Sequence, residues 1–315
     1  MSKYKYLFGP VQSRRLGVSL GVDMVPFKTC TLDCIYCECG ATDKLTCERR
    51  EYVSADELIN ELDDYLSKKP ELDYITFAGS GEPTLNTAIK TVHTYIKQQY
   101  PLYKTALLTN GTLLYLPEVR DEVVLFDLVS PSLDAISDRA FKKMNRPEKR
   151  LINDQIIQGL IEFSKMYKGI LWVEVFIVAG INDSSEELAL FKYALEQIHP
   201  TRIQLNSLDR PGTCEWVQPA TAQELQSIAS FFKPLPVEII SRHGAIKAVG
   251  KSEEDILETI VSLLRRRPST MEELSVLTGT TINSIRHDID ILVNQNVIES
   301  YVVNNHSFFK VKAKN

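Results

Sequence analysis

The sequence predicts an α/β protein: a full or partial (β/α)6 barrel over residues 1–250, followed by a small winged-helix domain over residues 251–315. Three observations carry this expectation. From Ser54 onward, strand-like and helix-like segments alternate about six times, the rhythm of a parallel sheet wrapped by helices. Glycine and polar residues gather where each strand pattern ends, the rim on which α/β folds place ligands. Near Gly250 the rhythm stops, and three helix patterns and a hairpin pattern take over.

The elements follow in order. Ser54-Ala-Asp-Glu57 has capping-box spacing, and Leu58, Ile59, Leu62 and Leu66 continue as an apolar stripe. A strand over Asp73 to Ala78 ends in GSGEPT, and a helix over Thr87 to Gln98 leads to a strand at Thr105 to Leu108, closed by TNG. Val123 to Val129 reads as a strand ending in SPSLDA, Leu171 to Val178 as one ending in AGIND, and Ile203 to Leu205 as one ending in NSLDRPG. Val237 to Ile240 is a last strand candidate. Beyond it, residues 253–266 form an amphipathic helix pattern, Thr270-Met-Glu-Glu273 opens a second helix, and a third spans Thr281 to Asn294. Val297 to Val303 and Ser307 to Val311 flank a turn at Asn304-Asn305.

Composition narrows the class. The 315 residues are 44% hydrophobic and 24% charged, which suits a globular chain. There is no apolar run of about 18 residues to span a membrane, and MSKYKYLFGPVQ lacks a secretory core, so a cytoplasmic location is expected. A net charge of −5 argues against a wholly basic nucleic-acid coat.

Five of the six cysteines crowd together as Cys30, Cys34, Cys37, Cys39 and Cys47, with Cys214 apart. In a reducing compartment such a cluster reads as metal-binding. Cys30-x3-Cys34-x2-Cys37 supplies three soft thiolates, which suit an iron–sulfur cluster or zinc. Three ligands for a four-iron cubane would leave one iron open to a substrate. The competing zinc reading takes Cys39 or Cys47 as fourth ligand, but the second C-x2-C knuckle common in zinc sites is absent.

The C-x3-C-x2-C motif resembles the radical S-adenosylmethionine (SAM) superfamily, and further segments in the same order strengthen the likeness over residues 8–240. The resemblance implies a [4Fe-4S] cluster on Cys30, Cys34 and Cys37, with SAM chelated at the open iron. Reductive cleavage of SAM to a 5′-deoxyadenosyl radical is the implied chemistry. Tyr36 then stands at the aromatic position near adenine, and Gly79-Ser80-Gly81-Glu82 resembles the GGE segment that meets the methionine amino group. Val178-x-Gly180-x-x-Asp183 resembles the segment whose backbone touches adenine, with Asp183 where the family carries Glu. Asn110 in the TNG turn, and Ser132 and Asp134 in SPSLDA, are further candidates for the SAM site; Arg146 and Arg210 are candidates for a carboxylate or substrate anion.

FGPVQSRRLGVSLGVD, CxYCECG, GSGEPTLN, LLTNGTLL, SLDA, NRP and NSLDRPG together resemble the Fe–S oxidoreductase subgroup related to wyosine-base (tRNA) synthases. Those synthases hold a second cluster on cysteines that precede the SAM motif, whereas residues 1–29 here contain none. Cys39, Cys47 and Cys214 are candidates for a second Fe–S cluster; the competing reading is packed thiols. The substrate stays open between RNA, a peptide and a small metabolite, and the resemblance implies flavodoxin or ferredoxin as electron donor.

Two charged features bear on partners. Asp138 to Arg150 carries six basic residues, read either as a phosphate-binding patch or as a solvated helix face. The C-terminal segment is acidic, and its third helix holds Asp288 and Asp290 against Arg286, so protein docking or dimerisation is expected ahead of DNA binding. The rival functional class is an iron–sulfur sensor that uses the winged helix as its output.

Overall fold

The computed structural model describes residues 3–13, 15–240, 253–303 and 306–312. The chain opens with an antiparallel hairpin, β1 (Leu7–Ser13) and β2 (Gly17–Val22), followed by the two-residue strands β3 (Thr29–Cys30) and β4 (Lys44–Leu45). Helix α1 (Ala55–Leu66) leads to β5 (Tyr74–Phe77), α2 (Ile89–Gln99), β6 (Lys104–Thr109), α3 (Pro117–Val123) and β7 (Leu128–Pro131). Two helices, α4 (Asp138–Met144) and α5 (Asn153–Met166), then precede β8 (Ile170–Ile177), α6 (Ser185–Ile198), β9 (Arg202–Ser207), α7 (Ala222–Phe231) and β10 (Val237–Ile239).

The main sheet has eight strands in the order β1-β2-β5-β6-β7-β8-β9-β10. All neighbours from β2 onward are parallel. With β1 and β10 as its edges, the sheet is a partial barrel. Its fully buried outer side chains, such as Ile75, Phe77, Leu107, Val129, Val173 and Ile203, pack under the helices as one core. Local signals build the helices as expected: Ser54 accepts from the Glu57 backbone N–H, and Leu58, Leu62 and Leu66 turn inward.

Two expectations need correction. The apolar run from Val123 to Val129 is not one strand. Val119 and Val123 close the buried face of α3, and the strand begins only at Leu128, because a short apolar run serves a buried helix end as well as a strand. The hairpin β1–β2 extends the sheet beyond the six strands expected, and β2 supplies the first parallel partner, for β5.

After the barrel come α8 (Glu253–Arg266), α9 (Met271–Thr278), α10 (Ile282–Asn294) and an antiparallel hairpin of β11 (Ile298–Val303) and β12 (His306–Val311). The Thr270 capping box forms in both halves. The turn expected at Asn304-Asn305 and the boundary near Gly250 lie outside the described residues. Ile260, Leu263, Leu274, Ile285, Ile289, Leu292, Ile298 and Phe309 form a separate small core. Val11 of β1 packs against that core, so the module is joined to the barrel along β1.

Candidate metal and cofactor site

The cysteine loop is held from three sides. On one side Asp33 and Ile35 donate their N–H groups to the carbonyls of Asn145 and Met144, at 3.0 and 2.9 Å, and Glu148 donates to Thr31 O. On another, Cys214 donates its N–H to Ile35 O at 3.0 Å and Thr213 Oγ1 donates to Cys37 O. From the third, Glu82 of the GSGEP loop donates its N–H to Thr29 O. The NRP segment and the residues just after NSLDRPG, Thr213 and Cys214, are thus two walls of the cysteine loop.

Each of the three motif cysteines receives a different nitrogen donor. Asn110 Nδ2 lies 3.5 Å from Cys30 Sγ, Asn145 Nδ2 3.4 Å from Cys34 Sγ, and Lys28 Nζ 3.2 Å from Cys37 Sγ. Lys28 is buried and its backbone is left-handed (φ 52°), a costly placement for a lysine. Burial opposes the ammonium, yet the Cys37 sulfur outweighs it and raises the Lys28 pKa. Cys37 is drawn down to about 6, first by its hydrogen bond with Cys39 and then by Lys28, against burial. Burial pushes Cys30 up to about 12 and Cys34 well up. Sequence reasoning misses Lys28 and Asn145 as site residues, although the NRP motif marks the segment that carries Asn145.

Among the described residues, no three His, Cys, Asp or Glu side chains are grouped as one metal ion would need. A [4Fe-4S] cubane asks for one thiolate at each of three corner irons, with N–H donors toward the sulfurs. Cys30, Cys34 and Cys37, each beside its own donor, fit that requirement. Cys39 faces Cys37, Cys47 interacts with Glu148, and Cys214 accepts from Arg146 Nη2 at 3.4 Å. These three thiols have separate neighbours and are not gathered together.

The expected SAM-site residues ring this loop. Glu82 is buried, and its carboxylate accepts from Thr84 N (3.0 Å), Thr84 Oγ1 (2.6 Å), Thr109 Oγ1 (2.6 Å) and Asn110 N (2.7 Å). Glu82 therefore ties the GSGEP loop to the TNG turn. Gly79 has φ +147°, and a Cβ there would collide with Asp23 Oδ1, so only glycine fits. Tyr36 stacks on Phe176 with ring centroids 4.1 Å apart and donates its hydroxyl to Asp134. Asp134 also accepts from Phe176 N at 3.0 Å; burial raises its pKa to about 7, with the nearby Glu174 adding to that. Ser132 donates its N–H to Thr109 O and bridges to Glu174.

The segment after β8 is shaped by its own polar side chains. Asn182 Oδ1 accepts from Val178 N at 2.8 Å, and Asp183 accepts from Gly180 N at 2.9 Å, leaving Gly180 with open space around it. The arginine expectations fare differently. Arg146 is partly exposed near Asp33 and Cys214, whereas Arg210 is 5% exposed and committed to Glu38 and Glu273. Arg210, a candidate for the SAM carboxylate or a substrate anion, thus stands in an internal ion-pair set. Within the barrel, Arg15 pairs with Glu174 and donates to Gln204 Oε1 at 3.0 Å, a polar row that continues from Asp134.

A family model described as the Radical SAM superfamily matches residues 24–192, from just after β2 to within α6. The chain belongs to the radical SAM superfamily. The family implies a [4Fe-4S] cluster and S-adenosylmethionine. A UPF0026 protein of Helicobacter pylori is 34% identical over 305 residues, 96% of each chain. GTPase Obg of Brachyspira hyodysenteriae is 37% identical over 303 residues, but the chain spans only 44% of that protein's length. A radical SAM methyltransferase from Sphaerobacter thermophilus shares the fold at TM-score 0.56 and 16% identity, over 71% of this chain and 67% of that one. TYW1 with a lysine-pyruvate adduct bound does so at TM-score 0.51 and 17% identity, over 78% and 80%.

Proposed function

We propose that this chain is a radical SAM enzyme in which Cys30, Cys34 and Cys37 hold a [4Fe-4S] cluster and the GSGEP, TNG, SLDA and AGIND loops hold SAM. The observation that carries the ligand assignment is the matched set of donors: Asn110, Asn145 and Lys28 each stand against a different cysteine of the motif. When bound, the cluster and SAM supply one-electron cleavage of SAM and hydrogen abstraction from a substrate.

The chain's own residues set the conditions for that chemistry. Lys28 places a buried positive charge beside the Cys37 thiolate, which offsets the negative charge that accumulates on reduction. Asn145 links Cys34 to the Tyr36 hydroxyl, at 3.4 and 3.3 Å, which joins the ligand loop to the Tyr36–Phe176 stack. Glu82 fixes the turn between the two loops on either side of Cys30. The exposed backbone at Gly79 and Gly180 gives SAM two places of close approach. The substrate, an RNA, a peptide or a small metabolite, would sit over the barrel mouth, above a polar row in which Arg15 pairs with Glu174 and donates to the fully buried Gln204. Flavodoxin or ferredoxin is the proposed reductant.

The test is anaerobic reconstitution followed by iron and sulfide counts and mass-spectrometric measurement of 5′-deoxyadenosine. Four irons per chain and product formed with SAM and dithionite are expected, both lost in Cys34→Ala. A count near eight would show a second cluster. Product retained in Cys34→Ala would overturn the ligand set. A loaded cluster that never cleaves SAM would favour the iron–sulfur sensor.

A further inference from the structure

The C-terminal module reaches the two loops that carry the cofactor site through half-buried charged side chains and the buried Arg210. At the end of α8, Arg266 donates to Asp23, and its other terminal nitrogen bonds Ser262 O and Oγ at 2.8 and 2.9 Å. The guanidinium lies 4.1 Å over the Phe8 ring. Asp23 is the seat of the GSGEP loop: its carboxylate accepts the Ser80 N–H and lies against Gly79. A second set runs to the cysteine loop. Glu38, between Cys37 and Cys39, is bonded by Arg210 at 2.6 Å and Arg267 at 3.3 Å. Arg210 also bonds Glu273 at 3.0 Å, and Glu273 caps α9 through the Thr270 N–H.

Buried ion pairs add little net stability, because desolvation cancels much of the attraction, but their geometry is exacting. Val11 gives the module an apolar seat on β1 that touches neither loop. The charged contacts instead converge on the two loops that the site depends on. We propose that the C-terminal module is a working wall of the cofactor site. In it Arg266, acting through Asp23, and Arg267 and Glu273, acting through Glu38 and Arg210, are positioning residues that hold the GSGEP loop and the cysteine loop in the SAM-binding arrangement. The inference rests on the radical SAM reading of those loops. It gives the module a role that needs neither DNA nor a second chain.

The experiment uses full-length protein reconstituted anaerobically, with SAM affinity by equilibrium dialysis and the EPR spectrum of the reduced cluster with and without SAM. Arg266→Ala is expected to weaken SAM binding about tenfold while iron content holds, and Arg266→Lys, which keeps the charge, to restore part of it. Glu273→Gln is expected to change the EPR line shape of the SAM complex with the fold intact by circular dichroism. Should Arg266→Ala unfold the module, Arg266→Lys and Glu273→Gln still decide the question. Val11→Ala is the control, since it loosens the docking face without touching either loop. Wild-type SAM affinity and spectra in the Arg266 and Glu273 variants would overturn the proposal, as would an equal loss in Val11→Ala. A wild-type protein that binds no SAM would instead overturn the functional reading beneath it.

Discussion

Lys28 concentrates the electrostatic argument into one side chain. It is buried, left-handed in backbone and in contact with the Cys37 sulfur, so its charge acts at short range with little screening. Lys28→Met should make the cluster harder to reduce. The ratio of reduced to oxidised cluster at a fixed potential should fall about tenfold, or about 59 mV for one electron, by EPR-monitored redox titration. An unchanged midpoint would remove Lys28 from that role. Gly79→Ala meets a different obstacle, a carboxylate oxygen where the new Cβ must go. The loop must shift, and SAM affinity measured by dialysis should drop while iron content stays. The cysteine spacing is legible in the residues themselves, and so is GSGEP. The partners of each sulfur are not, because Asn110 and Asn145 lie 80 and 111 positions away from the cysteines they meet.

At the scale of elements, α2 carries a pH signature. His93 is 2% exposed, packs on Phe126 and bonds Thr105 Oγ1 through Nε2 at 3.1 Å, while Nδ1 has no partner among the described residues. Burial lowers its pKa to about 4 from an unfolded value near 6.5. The unfolded chain therefore binds this proton first. Stability from a neutral His93 is present above about pH 6.5 and is lost as pH falls toward 4, by up to about 3 kcal/mol. Urea midpoints at pH 7 and pH 5 should differ by less in His93→Gln than in wild type; an equal drop in both would assign the effect elsewhere. The helices themselves are readable from caps and apolar stripes, as at Ser54 and Thr270. Where reading fails, at Val123 to Val129, the reason is that burial on α3 and burial on β7 ask for the same residue types.

For the molecule as a whole, the module and the barrel should respond together. Ile289 is 1% exposed in the module core, and Ile289→Ala should cost about 2–5 kcal/mol of module stability. If the module is a wall of the site, that loss should appear in SAM affinity as well as in thermal unfolding. Unfolding of the module with full SAM affinity retained would separate the two. The ion pairs give this coupling its path, Arg266 to Asp23 and Arg210 between Glu38 and Glu273, while Val11 only seats the module on β1.

By itself the sequence determined the alternation of strands and helices, the helix caps, the three-cysteine motif and the family those motifs resemble. Each depends on residues within a few positions of one another, where periodicity and spacing are direct consequences of backbone geometry. Only the tertiary structure decided which donor faces which sulfur and that Arg210 is spent between Glu38 and Glu273. It also decided that Arg266 reaches across 243 positions to Asp23. A charge pairs with whatever the fold brings near it, and nothing in the local sequence around either partner records the other.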